Sequence, residues 1–67
     1  MKTKIRELRK VNQLSQDELA NALGVTRQTI ISIENEKYTA SLILAYKIAC
    51  YFNMSIEEIF DFSEVEE

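Results

Sequence analysis

A single glycine, Gly24, and the lack of any proline restrict the folds open to this 67-residue chain more than any other feature. Glycine takes a positive φ without steric cost, whereas proline interrupts helices, so this composition favours helices over turn-rich β structure. Residues 15–23 and 26–35, on either side of Gly24, each have the apolar spacing of a short amphipathic helix. The sequence therefore predicts two short helices joined by a tight turn.

Hydroxyl side chains mark the predicted starts of the helices. Ser15 opens the capping box "SQDE" and Ser55 opens a second one, "SIEE", each with a Glu three residues after the cap. Thr26 and Ser41 are predicted to cap the third and fourth helices, and Thr3 the first. The pattern predicts five helices with connections of about two to five residues.

Composition excludes several classes of protein. With 46% apolar residues the chain is expected to form one globular domain, residues 1–67, and it has no apolar run of about 20 residues for a membrane span. The single cysteine, Cys50, excludes an internal disulfide and suits a cytoplasmic protein. Without histidine or a cysteine cluster, no metal site, cofactor or catalytic group is expected, and no small-molecule ligand is evident.

The charge is distributed unevenly along the chain. Residues 1–37 carry seven basic and five acidic side chains, a balance of +2, whereas residues 38–67 carry one basic and six acidic side chains, a balance of −5. A partner meets one face of a protein at a time, so the net charge of −3 does not exclude a polyanion bound by the first half.

The apolar positions predict a compact all-α bundle of five helices. Residues 1–4 are either frayed or a short extended arm, and the end of the chain, "DFSEVEE", is either a short extended segment or, as its acids favour, a solvated tail. Either Val11 or Asn12 continues the inner face of the first helix. The predicted core consists of Ile5, Leu8, Leu14, Leu19, Ala20, Leu23, Val25, Ile30, Ile33, Leu44, Ile48, Phe52, Ile56, Ile59 and Phe60.

The segment "LSQDELANALGVTRQTIISIENEKY" resembles the helix-turn-helix of the lambda-repressor and Cro-like transcription factors. The resemblance extends over about residues 5–60, since "SLILAYKIACYFNMSIEEIF" is similar to the fourth and fifth helices of that family. The positions in register are Gln16, Ala20, Gly24-Val25, Thr26-Arg27-Gln28, Ile30 and Ile33-Glu34-Asn35. The resemblance implies a motif over about residues 15–35, with residues 41–67 completing the core and a dimer interface.

The resemblance implies that the third helix enters the major groove of DNA. The residues expected to contact bases are Arg27, Gln28 and Ser32, with Thr29 and Ile31 at the margins. The residues expected to contact phosphates are Gln16, Thr26, Asn35, Lys37, Tyr38 and Thr39. Arg9 and Glu34 are expected to form an ion pair that braces the first helix against the third.

Two helix ends depart from the family pattern. Gln13 and Glu36 stand where many relatives have a glycine, and "TAS" at residues 39–41 replaces "Asn-Pro-Ser". Because asparagine tolerates the left-handed conformation, Asn12 and Asn35 are predicted to adopt it and end the helices.

The fourth helix has more apolar residues than one buried stripe requires. Within "LILAYKIACYF" the only charged residue is Lys47. Tyr46, Cys50 and Tyr51, together with Phe62 and Val65, remain after the core is assigned, although Cys50 also fits a core thiol. These five residues are predicted to form the interface of a two-fold homodimer that holds two reading helices about 34 Å apart.

The predicted function is that of a sequence-specific DNA-binding transcriptional regulator, a homodimeric repressor that reads an inverted-repeat operator in double-stranded DNA. Two alternatives remain open. One is an antitoxin-type protein that binds and neutralises a partner enzyme, with DNA binding as autoregulation. The other is a dimerisation module with a vestigial motif.

Overall fold

A computed structural model describes residues 1–65, and this part of the chain contains five helices and one isolated β-bridge. The helices are α1 (Ile5–Val11), α2 (Gln16–Leu23), α3 (Arg27–Glu34), α4 (Leu42–Phe52) and α5 (Ile56–Ile59). Helix α2 packs against both α3 and α4, and α5 packs against α4. The predicted all-α architecture is confirmed. The last two acids of the predicted solvated tail, residues 66–67, lie outside the described residues.

Four of the five helices begin at the predicted hydroxyl caps. Ser15, Thr26, Ser41 and Ser55 each accept a hydrogen bond from the backbone N–H three residues on. Both predicted capping boxes are present, and at the first the Ser15 N–H donates to Glu18 Oε1 at 2.9 Å. The hydrogen bond from the Ser15 backbone N–H is the main cause that holds the pKa of Glu18 below its ordinary value. Local chemistry thus sets the starts of α2 to α5.

The start of α1 differs from the prediction. Lys4, not Thr3, occupies the cap position, and Thr3 Oγ1 instead accepts the Ile5 N–H at 3.3 Å. Thr3 forms an antiparallel bridge with Phe60, flanked by hydrogen bonds of 2.9 Å from the Lys4 N–H to Ile59 O and from the Asp61 N–H to Lys2 O. Residues 2–4 are therefore the extended arm rather than a frayed end, because pairing with residues 59–61 satisfies their backbone groups. Residues 61–65 are exposed.

The left-handed residues at the ends of α1 and α3 are not those predicted. Gln13 (φ 56°) and Glu36 (φ 63°) adopt this conformation, whereas Asn12 (φ −90°) and Asn35 (φ −87°) do not. At the end of α1 the Leu14 N–H donates to Arg9 O at 2.9 Å, and at the end of α3 the Lys37 N–H donates to Ser32 O at 2.9 Å. In this motif the residue after the cap must have a positive φ, so its position in the turn overrides the preference of asparagine.

Gln13→Gly should raise the free energy of unfolding by about 1 kcal/mol, because a side chain in the left-handed region costs roughly that much. Asn12→Gly is the matched control. Its φ of −90° gives glycine no advantage, and the hydrogen bond from Asn12 Nδ2 to Leu8 O at 2.7 Å would be lost, so this variant should be less stable than the parent. Urea denaturation measures both. Equal destabilisation by Gln13→Gly and Asn12→Gly would contradict the assignment of Gln13 as the left-handed residue at the end of α1.

One cluster of buried apolar residues joins all five helices. Its fully buried members are Ile5, Leu19, Ile30, Ile33, Ile48 and Ile59, and its other buried members are Ala20, Leu23, Leu44, Ala45, Ala49 and Phe60. Partly buried apolar residues pack around them, among them Leu8, Leu14, Val25, Phe52 and Ile56, all predicted for the core. The inner faces of the helices are therefore largely as the periodicity predicts.

Three residues considered for the core, Val11, Asn12 and Cys50, lie outside it. Val11 is 80% exposed, and Asn12 is exposed as well. The chain turns at residues 12–13, so Leu14 and not Val11 returns to the core. Cys50 is also exposed, because two residues after Ile48 a helix presents its opposite side. The interpretation of Cys50 as a core thiol was wrong.

Candidate nucleic-acid interface

The turn between α2 and α3 depends on the backbone conformation of Gly24. This residue has a φ of 73°, and a Cβ added to it would have no atom within 4 Å. The need for glycine here is therefore conformational, not one of space. The Val25 N–H donates to Ala20 O at 3.0 Å, which ends α2, and Thr26, two residues after the glycine, is the N-cap of α3. The turn is as short as the sequence predicts.

Helix α3 separates a buried side from an exposed side. Ile30 and Ile33 anchor it in the core, whereas Arg27 and Gln28 are exposed and Ser32 is half-buried. We call Arg27, Gln28 and Ser32 the α3 outer face. Within this face Gln28 Nε2 donates to Ser32 Oγ at 3.3 Å, which leaves the Gln28 carbonyl and one of its N–H hydrogens available to a ligand.

The marginal residues of α3 are less exposed than Arg27 and Gln28. Thr29 and Ile31 are half-buried. Thr29 Oγ1 lies 3.0 Å from Thr26 Oγ1, and the Thr26 hydroxyl also caps α3 through the Thr29 N–H at 3.3 Å. The hydroxyls of both threonines are therefore engaged at the start of the helix.

Arg27 has an acidic neighbour that the sequence interpretation did not assign. Its Nε lies 3.9 Å from Asp17 Oδ1 in the first turn of α2, and both side chains are exposed, at 60% and 70%. Ion pairs in water contribute little free energy, so Asp17 does not prevent Arg27 from turning to a ligand. No signal in the sequence links these two residues, because only the crossing of α2 and α3 brings them together.

A buried carboxylate, Glu34, connects the first three helices. Its side chain has no solvent exposure, and Arg9 meets it with two hydrogen bonds, from Nε to Oε2 at 2.8 Å and from Nη2 to Oε1 at 3.2 Å. Arg9 Nη1 also donates to Leu14 O at 3.0 Å. The ion pair implied by the family resemblance is thus present in the structure. Such two-point contacts with arginine are geometrically specific.

Two further donors complete the surroundings of Glu34. Gln16 Nε2 donates to Glu34 Oε1 at 3.3 Å, and Arg6 Nε lies 3.5 Å from the same oxygen. Burial by itself would raise the pKa of Glu34, but hydrogen bonds from Arg9, Gln16 and Arg6 and the charge of Arg9 hold it below its ordinary value. Glu34 is therefore ionised and internally neutralised, and it is not available to read bases.

The residues predicted to contact phosphates fall into two groups. Gln16, at the start of α2, is half-buried. One hydrogen of its side-chain amide is donated to Glu34, and the other remains available to a ligand. The second group is exposed and consists of Thr26, Asn35, Lys37, Tyr38 and Thr39.

Arg6 is a member of this region that the sequence interpretation missed. Its Nη2 donates to Asn35 Oδ1 at 2.9 Å, in addition to its contact with Glu34. Arg6 stands three residues before Arg9, on the same face of α1, so the helical spacing contained a signal for its position.

The predicted dimer residues lie in two places. Tyr46, Cys50 and Tyr51 line a cleft between α4 and α2, whereas Phe62 lines an apolar pocket with Met1 and Leu42. All five predicted residues are exposed: Tyr46, Cys50, Tyr51, Phe62 and Val65.

Two more apolar side chains, Leu42 and Ile43, are exposed on α4, at 79% and 72%. With Tyr46 and Cys50 they lie within an arc of about 100° at 3.6 residues per turn. We call these four residues the α4 outer face. Leu42 links it to the pocket that contains Phe62. The sequence analysis placed Leu44, Ile48 and Phe52 on the inner side of α4, but it did not assign Leu42 and Ile43 to the exposed side.

Among residues 1–65, no helix combines the length and the apolar character needed to cross a bilayer. In the same part of the chain, His, Cys, Asp and Glu do not gather in any group of three or more that could hold a metal ion.

Comparisons with known proteins agree with this geometry. A family model described as helix-turn-helix matches residues 5–59. An uncharacterised HTH-type transcriptional regulator of Archaeoglobus fulgidus is 52% identical over 66 residues, which cover 98% of this chain and 93% of that protein. The cryptic phage CTXphi transcriptional repressor RstR of Vibrio cholerae is 34% identical over 92% of this chain and 56% of its own length.

A solved structure is also similar. The crystal structure of the restriction-modification controller protein C.AhdI from Aeromonas hydrophila superimposes with a TM-score of 0.76 at 32% identity, covering 85% of this chain and 86% of that one.

Proposed function

The chain belongs to the helix-turn-helix family of transcriptional regulators, and from this premise we propose that it binds an operator in double-stranded DNA as a homodimer and represses transcription there. The observation that carries the proposal is the α3 outer face. Arg27 and Gln28 are exposed on a short helix whose opposite side is anchored by Ile30 and Ile33.

The chemistry of the α3 outer face suits base recognition in the major groove. Arginine donates two parallel hydrogen bonds to guanine O6 and N7, and glutamine both donates to and accepts from adenine. We assign Arg27 and Gln28 these roles, with Ser32 beside them and Thr29 and Ile31 at the margin of the contact. Ile31 offers an apolar surface to a thymine methyl group.

Phosphate contacts flank the reading helix on both sides in this proposal. Gln16 and Thr26 contact the backbone before α3, and Asn35, Lys37, Tyr38 and Thr39 contact it after α3. Two observations support this arrangement. All of these residues except the half-buried Gln16 are exposed, and residues 1–37 have a charge balance of +2. Contacts of this kind orient a protein on DNA without reading sequence.

Dimerisation involves the α4 outer face in this proposal. Leu42, Ile43 and Tyr46 are more than 60% exposed, and clustered exposed apolar side chains mark surfaces that bind a partner. Cys50 belongs to this face and Tyr51 borders it. Phe62 adjoins it through the pocket that it shares with Leu42, and Val65 is assigned to the interface as well. A second copy of the same chain is the simplest occupant, because a two-fold dimer buries the same face twice and matches a palindromic operator.

Repression follows from occupancy in this proposal. A dimer bound across a promoter excludes other proteins from the DNA that it covers. The relative in Vibrio cholerae carries the name of a transcriptional repressor, which supports this direction of regulation.

Selection of bound duplexes from a random pool tests the function. We expect enrichment of an inverted repeat whose half-sites are about 10 bp apart, as a symmetric dimer requires. The logarithm of the binding constant should fall with the logarithm of the salt concentration by about 0.9 per contacted phosphate. Failure to enrich any sequence would refute the proposal, and a stable complex with a partner enzyme in its place would favour the antitoxin alternative.

Ile43→Lys should convert the dimer into a monomer, because it places a charge in an apolar interface. Val11→Lys is the matched control, since Val11 is also a largely exposed apolar residue, at 80% against 72% for Ile43, but lies on α1 and is not part of the α4 outer face. Sedimentation equilibrium distinguishes a 7.8-kDa chain from its dimer. We expect the Val11 variant to remain dimeric. An Ile43 variant that also remains dimeric would exclude the α4 outer face as the interface.

A further inference from the structure

We propose that Arg6 orients the side-chain amide of Asn35, so that this residue presents only hydrogen-bond donors to the DNA backbone. The inference rests on the proposed function and deepens it, since it adds a positioning residue on α1 to the contacts made after α3. It begins from the hydrogen bond of 2.9 Å between Arg6 Nη2 and Asn35 Oδ1.

Arg6 is itself held in place. Its Nε lies 3.5 Å from Glu34 Oε1, and Glu34 is fixed by the two hydrogen bonds from Arg9. A guanidinium is planar, so contacts to Glu34 and Asn35 together restrict its plane as well as its position. Arg6 remains 51% exposed, at the surface where Asn35 is also exposed.

The backbone of Asn35 is also restrained. This residue is the C-cap of α3, and its N–H donates to Ile31 O at 3.0 Å. The remaining freedom of Asn35 lies in its side chain. An asparagine amide has a carbonyl on one side and an NH₂ on the other, and nothing local to the residue decides which side faces outward.

The chemistry of the two neighbours selects one orientation of this amide. Arginine has only donors, so the Asn35 carbonyl must face Arg6. Phosphate oxygens have only acceptors, so the Asn35 NH₂ must face the DNA. The orientation that satisfies Arg6 is therefore also the orientation that phosphate requires. Without Arg6 the amide samples both orientations, and binding must select one of them.

A double-mutant cycle on the selected operator tests the inference. Arg6→Ala should weaken binding about two- to tenfold, the range expected when one side chain must be ordered on binding. In the Asn35→Ala background the same change should have almost no effect. Lys10→Ala, which removes a charge from an exposed position on α1, is the control and should have the same effect in both backgrounds.

The ordering of the amide is measured by NMR in the absence of DNA. In the parent the Asn35 side-chain NH₂ should be ordered, and in Arg6→Ala its order parameter should fall below about 0.6 while the backbone N–H of Asn35 is unchanged. If Arg6 contributed only to the stability of the fold, its removal would not loosen the Asn35 side chain while leaving the Asn35 backbone unchanged.

The outcomes separate this inference from the proposed function. If the parent binds no duplex, the proposed function fails, and the inference fails with it. If the parent binds DNA but Arg6→Ala weakens binding equally in the parent and in Asn35→Ala, Arg6 acts independently of Asn35. In that case only the inference fails. An Asn35 amide that stays ordered in Arg6→Ala also overturns it.

Discussion

Replacing Arg9 by alanine should lower the free energy of unfolding by about 3 kcal/mol, because it leaves the buried Glu34 carboxylate without its main partner. The expected loss is at the low end for a broken buried ion pair, since Gln16 and Arg6 still donate to Glu34. The Leu14 carbonyl would also lose the hydrogen bond from Arg9 Nη1. Urea denaturation of both proteins at pH 7 measures the difference.

A double variant distinguishes the charge from the packing. Replacing Arg9 by methionine and Glu34 by leucine together should cost less than Arg9→Ala alone, because no buried charge then remains unpaired. A larger loss in the double variant would show that the ion pair itself, and not the avoidance of an unpaired carboxylate, stabilises the fold.

The loss of stability caused by Arg9→Ala should also depend on pH, and it should become smaller in acid. The folded-state pKa of Glu34 lies below its ordinary value of 4.5, so its stabilising contribution is present above that value and is lost as the pH falls through the folded-state pKa. The difference in stability between the parent and Arg9→Ala should therefore narrow in acid. A difference that stays constant down to pH 2 would contradict the assignment of Glu34 as the titrating group.

Gln28→Ala should weaken binding to the selected operator by about 1–3 kcal/mol, a factor of about 5 to 150, and should relax the preference at one base position. The reason is that Gln28 supplies a donor and an acceptor together, which alanine cannot replace. Competition assays with operator variants at that position measure both effects.

Lys37→Ala is the control for base reading. As a predicted phosphate contact it should weaken binding to the operator and to random DNA alike, and reduce the salt dependence by about one phosphate. If Gln28→Ala also weakened binding to both DNAs equally, Gln28 would contact the backbone and not a base.

The side-chain partners around α3 were less predictable than the division of this helix into a buried and an exposed side. The repeat of apolar positions around Gly24 correctly placed Ile30 and Ile33 inside and Arg27 and Gln28 outside, because helical periodicity is a local property. Arg6 was missed although it lies one turn before Arg9. Its partner Asn35 is 29 positions away in the chain, and no local rule relates the two.

The exposed side of α4 shows another limit of sequence reasoning. Tyr46 was correctly left outside the core. Cys50 was given two interpretations, of which the core thiol was wrong, and Leu42 and Ile43 were not assigned to the exposed side. Periodicity identified the inner residues Leu44, Ile48 and Phe52 of this helix, but it did not give the full extent of the exposed apolar face.

Local patterns in the amino-acid order were sufficient for the starts of α2 to α5, the turn at Gly24 and the inner faces of the helices. Caps, capping boxes and periodicity act over three or four residues, so they can be recognised without knowledge of the fold. Tertiary packing decided which donors surround Glu34 and that Asp17 lies beside Arg27. These features depend on how distant segments approach one another, and that approach is set by the shared core and not by any one segment.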